Sequence, residues 1–186
     1  MSYVMKIPEA YIEYLVHFHG DRDYFECHEL LEEHWKLTDI KNRHSVWVGL
    51  IQLAVSQYHY RRSNIVGAIR LMKKALNNLI ENKNILITLK IDVNDLFNKM
   101  NTQLTRMKNN EEYESINIKI NDERLLTICK SKCKELGFRW GEQNAGDDYT
   151  IIHRHAVRDR TSIEMERYLS AITKRLKRER KLQLKN

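Results

Sequence analysis

Through the first half of the 186-residue chain, apolar positions recur at three- and four-residue intervals, the spacing that lines one face of an α-helix. Pro8 suits a first helical turn, where its missing N–H would have no partner. Tyr11, Tyr14, Leu15 and Phe18 then recur at helical spacing up to Gly20, which can supply a left-handed stop. Asp23, with Glu26 three residues on, reads as a capping pair opening a second helix that runs to about Leu37; Asp21 is the alternative cap. Residues 45–61, SVWVGLIQLAVSQYHYR, are apolar almost all round, as expected of a central helix enclosed by its neighbours. Asn64 caps a fourth helix, with Ile65, Ala68, Ile69, Met72, Leu76 and Leu79 in one stripe opposite Arg70, Lys73, Lys74 and Asn77. Asp92 caps a fifth, with Val93, Leu96, Phe97, Met100, Leu104 and Met107 inward, until the polar run 108–112 breaks the pattern.

Beyond that run the period changes. Ile116, Ile118 and Ile120 alternate and predict a short strand over 115–120, Asn121 caps a helix ending near Gly137, and 149–155 reads as a second strand. The intervening GFRWGEQNAGDD is loop, and Thr161 or Ser162 opens a last helix. The fold class is therefore mainly α. A compact, irregular array of about five helices over 1–110 is followed at 111–186 by a small α+β appendage of two short strands and two helices. One proline and six glycines in the whole chain agree with long uninterrupted helices.

Charge and cysteine content narrow the setting. Of the formal net charge of +7, the tail 174–186 (KRLKRERKLQLKN) supplies +6, so the body is nearly neutral and any attraction to nucleic acid resides in that tail. The tail has no aromatic residue for base stacking, which favours a solvated helix end. Cys27, Cys129 and Cys133 are odd in number and lack a C-x-x-C pair, so reduced thiols and a cytoplasmic location are expected. Cys129 and Cys133 share a helical face and read as small buried groups, while Trp35, Trp47 and Trp140 read as packing anchors. No leader-like N-terminus and no apolar run of spanning length occurs, so no membrane partner is expected.

The second helix carries the most unusual chemistry. On a wheel, Tyr24, Phe25, His28, Leu31, Glu32 and Trp35 fall on one face with His28 and Glu32 at its centre, Glu29 on the flank, and Glu26 and Glu33 turned to solvent. In the central helix, Ser45, Gln52, Ser56 and His59 form a polar stripe beside Gly49, whose missing side chain lets a neighbouring helix or a small ligand approach. If the two stripes face each other, His28, Glu32, Gln52 and His59 form one buried hydrogen-bonded network, because a buried carboxylate is costly without partners. The plain alternative is that the network only fixes helix register. His28, Glu32 and His59 also make a two-histidine, one-carboxylate set for a divalent metal, the basis of a metal-dependent hydrolase reading. The run His28-Glu29-Leu30-Leu31-Glu32 approaches the zinc-protease H-E-x-x-H pattern but has Glu at the second ligand position, which argues against a peptidase. The helix also lacks the Glu-x-x-His spacing of diiron bundles.

DYFECHELLEEHW followed by GLIQLAVSQYHYRRSNIVGAIRLMKKAL resembles the domain-of-unknown-function family 309 of bacterial and archaeal proteins, over about residues 18–79. That resemblance implies a compact helical array and no established activity. The positions matching the family pattern are Phe25, Glu26, His28, Glu29, Glu32, Trp35, Gln52 and His59. The chain after about Glu111 lies outside the core likeness and resembles an extension found in some Gram-positive members.

A second polar cluster, His153, His155, Arg158, Asp159 and Arg160, offers imidazoles and guanidinium forks that suit a phosphate or an acidic peptide, although Asp159 can simply pair with a neighbouring arginine. The leading functional expectation is a helical module that binds a partner protein or small ligand beside the His/Glu/Gln network. The alternatives are the metal-dependent hydrolase and a nucleic-acid-associated factor acting through the tail.

Overall fold

The computed structural model of the chain describes residues 6–143 and 149–152. Several of its helices begin where a short polar side chain satisfies a free N–H group. Asp23 accepts from Glu26 N at 2.9 Å, Asn64 from Gly67 N at 3.1 Å and Asp92 from Asp95 N at 3.1 Å. In chain order the elements are α1 (Glu9–His19), α2 (Tyr24–Thr38), α3 (Val46–Arg61), α4 (Ile65–Glu81), α5 (Lys83–Thr88), α6 (Val93–Lys108), α7 (Glu123–Glu135) and α8 (Tyr149–Ile152). The mainly α class is as expected, but five helices is too few: the six-residue α5 escapes a reading built on long stripes.

Three local expectations are corrected. Gly20 ends α1 with φ −86°, and the left-handed conformation falls to Arg22 at φ 58°. Gly20 is instead a close-approach residue, since a Cβ there would lie 2.6 Å from Val16 O and 2.9 Å from Phe138. The cap of α7 is Asp122, which accepts from Leu125 N at 2.7 Å, rather than Asn121. The two C-terminal strands are not present among the described residues. Residues 115–120 make only an isolated antiparallel bridge, Ile91 to Ile120, and Tyr149–Ile152 is a helical turn.

The reason residues 115–120 do not pair as a strand is that side chains take their backbone groups. Ile118 N donates to His19 Nε2 at 2.9 Å, Arg22 Nη1 donates to Ile116 O at 3.0 Å, and Lys99 Nζ donates to Asn117 O at 2.9 Å. Alternation of apolar residues followed the burial of Ile118 and Ile120, not the presence of a partner strand.

The core lies around α3, which packs on α2 and, most extensively, on α4. A Cβ on Gly49 would collide with Asn78 Oδ1 and sit 2.6 Å from Leu79 Cδ2, so the missing side chain sets the α3–α4 approach. Ser56 Oγ donates to Ala68 O at 2.8 Å across the same contact. On the other side, Gln57 and Gln103 exchange reciprocal amide hydrogen bonds between α3 and α6, with Gln103 Nε2 also donating to Glu114 O at 2.7 Å. Helix α7 lies on α1 through buried Cys129 and Cys133. Burial pushes their thiols up to about 12 and about 11, which keeps them protonated packing groups.

The chain divides into two compact units, Met1–Ile152 and His153–Asn186. Residues 111–143, assigned by sequence to the appendage, belong to the first unit. The expected last helix, the basic tail and the cluster His153, His155, Arg158, Asp159 and Arg160 lie outside the described residues. No helix among the described residues is long and apolar enough to cross a membrane.

Candidate functional site on helix α2

Helix α2 is anchored by Tyr24, Cys27 and Leu31, all fully buried and spaced by three and four residues. Their stripe is the true centre of the inward face. His28 lies roughly 70° round the helix from it, and Glu32 and Glu29 lie farther still. The side chains of His28, Glu29 and Glu32 accordingly keep 29%, 35% and 34% of their surface exposed. The cluster is thus half-open, and the expectation of a buried network is corrected: the wheel was centred on the polar pair when Cys27 marks the inward side.

Within that half-open cluster, His28 Nδ1 meets Glu29 Oε1 at 3.0 Å and Nε2 faces Glu32 Oε2 at 3.6 Å. Lys36 Nζ lies 3.4 Å from the other Glu32 oxygen. One ligand atom from each of His28, Glu29 and Glu32 falls within 4.8 Å of the other two, the only such His/Cys/Asp/Glu group among the described residues. An imidazole nitrogen and two carboxylate oxygens are a donor set for borderline divalent cations.

The flanking pattern residues frame this face. The Phe25 ring centroid is 6.2 Å from that of His28, and half-buried Trp35 donates Nε1–H to Asn42 O at 3.0 Å, tying the end of α2 to the following turn. Glu26, expected to point to solvent, is half-buried and lines a cleft of about 290 Å³ with Glu13, His17, Leu30, Lys132 and Glu135, between α1, α2 and α7.

The two residues expected from α3 do not join the cluster. His59 Nδ1 accepts from Asn64 Nδ2 at 3.0 Å, so the imidazole buttresses the residue that caps α4; burial, Arg62 and Arg70 lower its pKa. Gln52 Oε1 is sealed from solvent without a hydrogen-bond partner. The stripe they share with Ser56 looks toward α4, as the Ser56 to Ala68 bond shows, rather than toward α2. The three residues with ligand-type atoms brought together are therefore His28, Glu29 and Glu32, and His59 lies apart from them.

Sequence reasoning passed over the buried polar groups that organise this end of the molecule. Arg22 is almost fully buried and donates to Phe18 O at 2.7 Å, Ile116 O at 3.0 Å, Asn117 Oδ1 at 2.6 Å and Glu142 O at 3.1 Å. His19 is fully buried between Leu15 O and the Ile118 backbone, stacked on Trp140 with centroids 4.0 Å apart. For Gln57 and Gln103 a signal did exist: each interrupts an apolar stripe at a core-facing position. Arg22, lying in a polar turn, carried none.

Set beside known proteins, residues 11–71 match the model of a family described as Domain of unknown function (DUF309). A relative from Bacillus subtilis (strain 168), "Uncharacterized protein YpuF", is 42% identical over 160 residues, which cover 86% of this chain and 92% of that protein. No solved structure matches.

Proposed function

The chain belongs to the DUF309 family, and from that premise we propose that it is a noncatalytic helical binding module whose ligand is held on the open face of α2 through a divalent cation. One observation carries the reading: the gathering of a His28 nitrogen and Glu29 and Glu32 oxygens within 4.8 Å on successive turns of one helix. Three protein donors fix the ion, and the remaining positions take oxygen donors from a partner protein or a small ligand. Phe25 and Trp35 border the site with apolar surface that such a ligand covers. Helix α2 is a rigid support because its opposite side is packed into the core by Tyr24, Cys27 and Leu31.

Isothermal titration of the metal-free full chain with Zn²⁺ and with Mn²⁺ tests the proposal. One site per chain is expected. Its affinity should fall at least about tenfold, roughly 1.4 kcal/mol, in His28→Ala and in Glu32→Gln, with little change in His59→Ala. Binding should also weaken as pH is lowered, since protons compete for the same imidazole and carboxylates. Equal affinity in wild type and His28→Ala would remove the cation from the account.

A further inference from the structure

Helix α3 keeps one side half-open. Val48, Ile51, Gln52, Val55 and His59 are half-buried while every other residue from Val46 to Tyr60 is buried. Their spacing of three and four residues puts them in one stripe about 16 Å long. Gly49 and Ser56, roughly 90° round from it, lie against Leu79 and Ala68 of α4. Trp47, roughly 100° the other way, meets His34 of α2 with ring centroids 4.8 Å apart. The stripe is thus the middle of a three-helix layer, with α2 along one flank and α4 along the other.

The two flanks carry opposite charge. Along α2 four glutamates stand against Lys36 alone, and along α4 Arg70, Lys73 and Lys74 stand against Glu81. On α2, Glu32 lies roughly 160° round from His34, the residue that meets Trp47 on the core side, so Glu32 turns to the stripe's side of the layer. On α4, Lys74 and Arg70 lie roughly 180° and 140° round from Ile65, which lines a cleft with the residues after α6, so they too turn to the stripe's side. Both are exposed and have no carboxylate partner among the described residues. The pKa of His59 is lowered by burial and then by Arg62 and Arg70, so the Arg70 charge reaches the stripe. Contacts along the helices also fix the levels. Tyr24 lies by the guanidinium of Arg61 and His34 by Trp47, whereas Ala68 lies by Ser56 and Leu79 by Gly49. Counted from these contacts, Glu29 and Arg70 stand level with the turn around Val55, and Glu32 and Lys74 with the turn around Ile51.

We infer that this layer seats a second copy of the chain, about a two-fold axis running along α3. Val48, Ile51 and Val55 then meet the same residues of the other copy, and the α2 flank of each copy lies over the α4 flank of the other. An axis along α3 preserves every level, so Glu29 opposes Arg70 and Glu32 opposes Lys74, each pair occurring twice. With the axis across the helices, α2 would lie on α2 and glutamate on glutamate, which like-charge repulsion disfavours. The pairing needs no ion and does not rest on the cation reading, since Glu29 and Glu32 can serve the second copy without one.

Sedimentation of the full chain in EDTA, at on the order of 100 μM, tests the pairing. Wild type should sediment as a dimer. Glu29→Arg and Arg70→Glu should each weaken association by at least about tenfold. An equimolar mixture of the two should restore it, because their heterodimer regains both Glu29–Arg70 pairs in reversed or native sense. His28→Ala, which removes an ion ligand, should leave association unchanged, so the two readings fail separately. A wild-type monomer overturns the inference, and so does a mixture no tighter than either variant alone. Should a variant fail to fold, dilution of methyl-labelled wild type decides. The Val48, Ile51 and Val55 signals should move as the pair dissociates, and movement confined to other residues overturns the inference equally.

Discussion

His19 is committed at both ring nitrogens: Nδ1 donates to Leu15 O at 2.7 Å and Nε2 accepts from Ile118 N–H at 2.9 Å. Burial is the main cause that brings its pKa from 6.5 down to about 3, so the folded protein holds it neutral. Between those two values the unfolded chain binds a proton that the folded one refuses. This residue therefore leaves stability untouched above pH 6.5 and erodes it as pH falls toward 3, by up to roughly 1.4 kcal/mol per unit. Urea unfolding at pH 7.5 and pH 5 should show His19→Gln losing about 2 kcal/mol less than wild type on acidification. Its stability at pH 7.5 should already be lower by about 1–3 kcal/mol for the disturbed hydrogen bonds. Equal pH dependence in the two proteins would show that the ring is not held neutral. At this scale the sequence marked the chemistry of α2 without its depth. The helical period identifies which residues share a face, but the inward direction is fixed by Tyr24, Cys27 and Leu31, and a small cysteine is easily left out of a hydrophobic stripe.

Among the elements, the contact of α3 with α4 is the closest-set. Gly49 faces Leu79 so tightly that a Cβ would stand 2.6 Å from its Cδ2. Gly49→Ala should improve helix propensity by about 1 kcal/mol, yet overpacking of about 1–3 kcal/mol outweighs it. Thermal unfolding of Gly49→Ala should show net destabilisation; a higher melting temperature would mean that α3 and α4 separate without cost. Helices α4 and α6 were legible because cap and stripe agree in each, and α2 through its cap alone: Asp23, Asn64 and Asp92 accept the bonds that their positions promised. Two elements were not. Helix α5 is a single six-residue segment with one buried side chain, Leu86, too short to display a period. Residues 115–120 alternate like a strand, but what meets their backbone is His19, Arg22 and Lys99, and side chains from distant positions leave no trace in a local pattern.

Across the first unit, a buried guanidinium adds to the bonds of His19, Lys99 and Gln103 that join the helices to the segment after α6. Arg22 reaches backbone at Phe18, Ile116 and Glu142 and the amide of Asn117. Replacing it by methionine keeps the apolar bulk but orphans those neutral acceptors, a loss of about 1–3 kcal/mol for each one left unsatisfied. Hydrogen exchange of Arg22→Met should lose protection first at Ile118 and through α7, while the α3–α4 pair keeps its own; uniform loss would show that the segment and the helices open together. The cation site tests the whole chain in a single spectrum, because paramagnetic Mn²⁺ broadens the amide signals nearest to wherever it settles. With substoichiometric Mn²⁺, the account predicts broadening centred on residues 28–33 that disappears in His28→Ala. Broadening centred elsewhere, or unchanged in that variant, would contradict it.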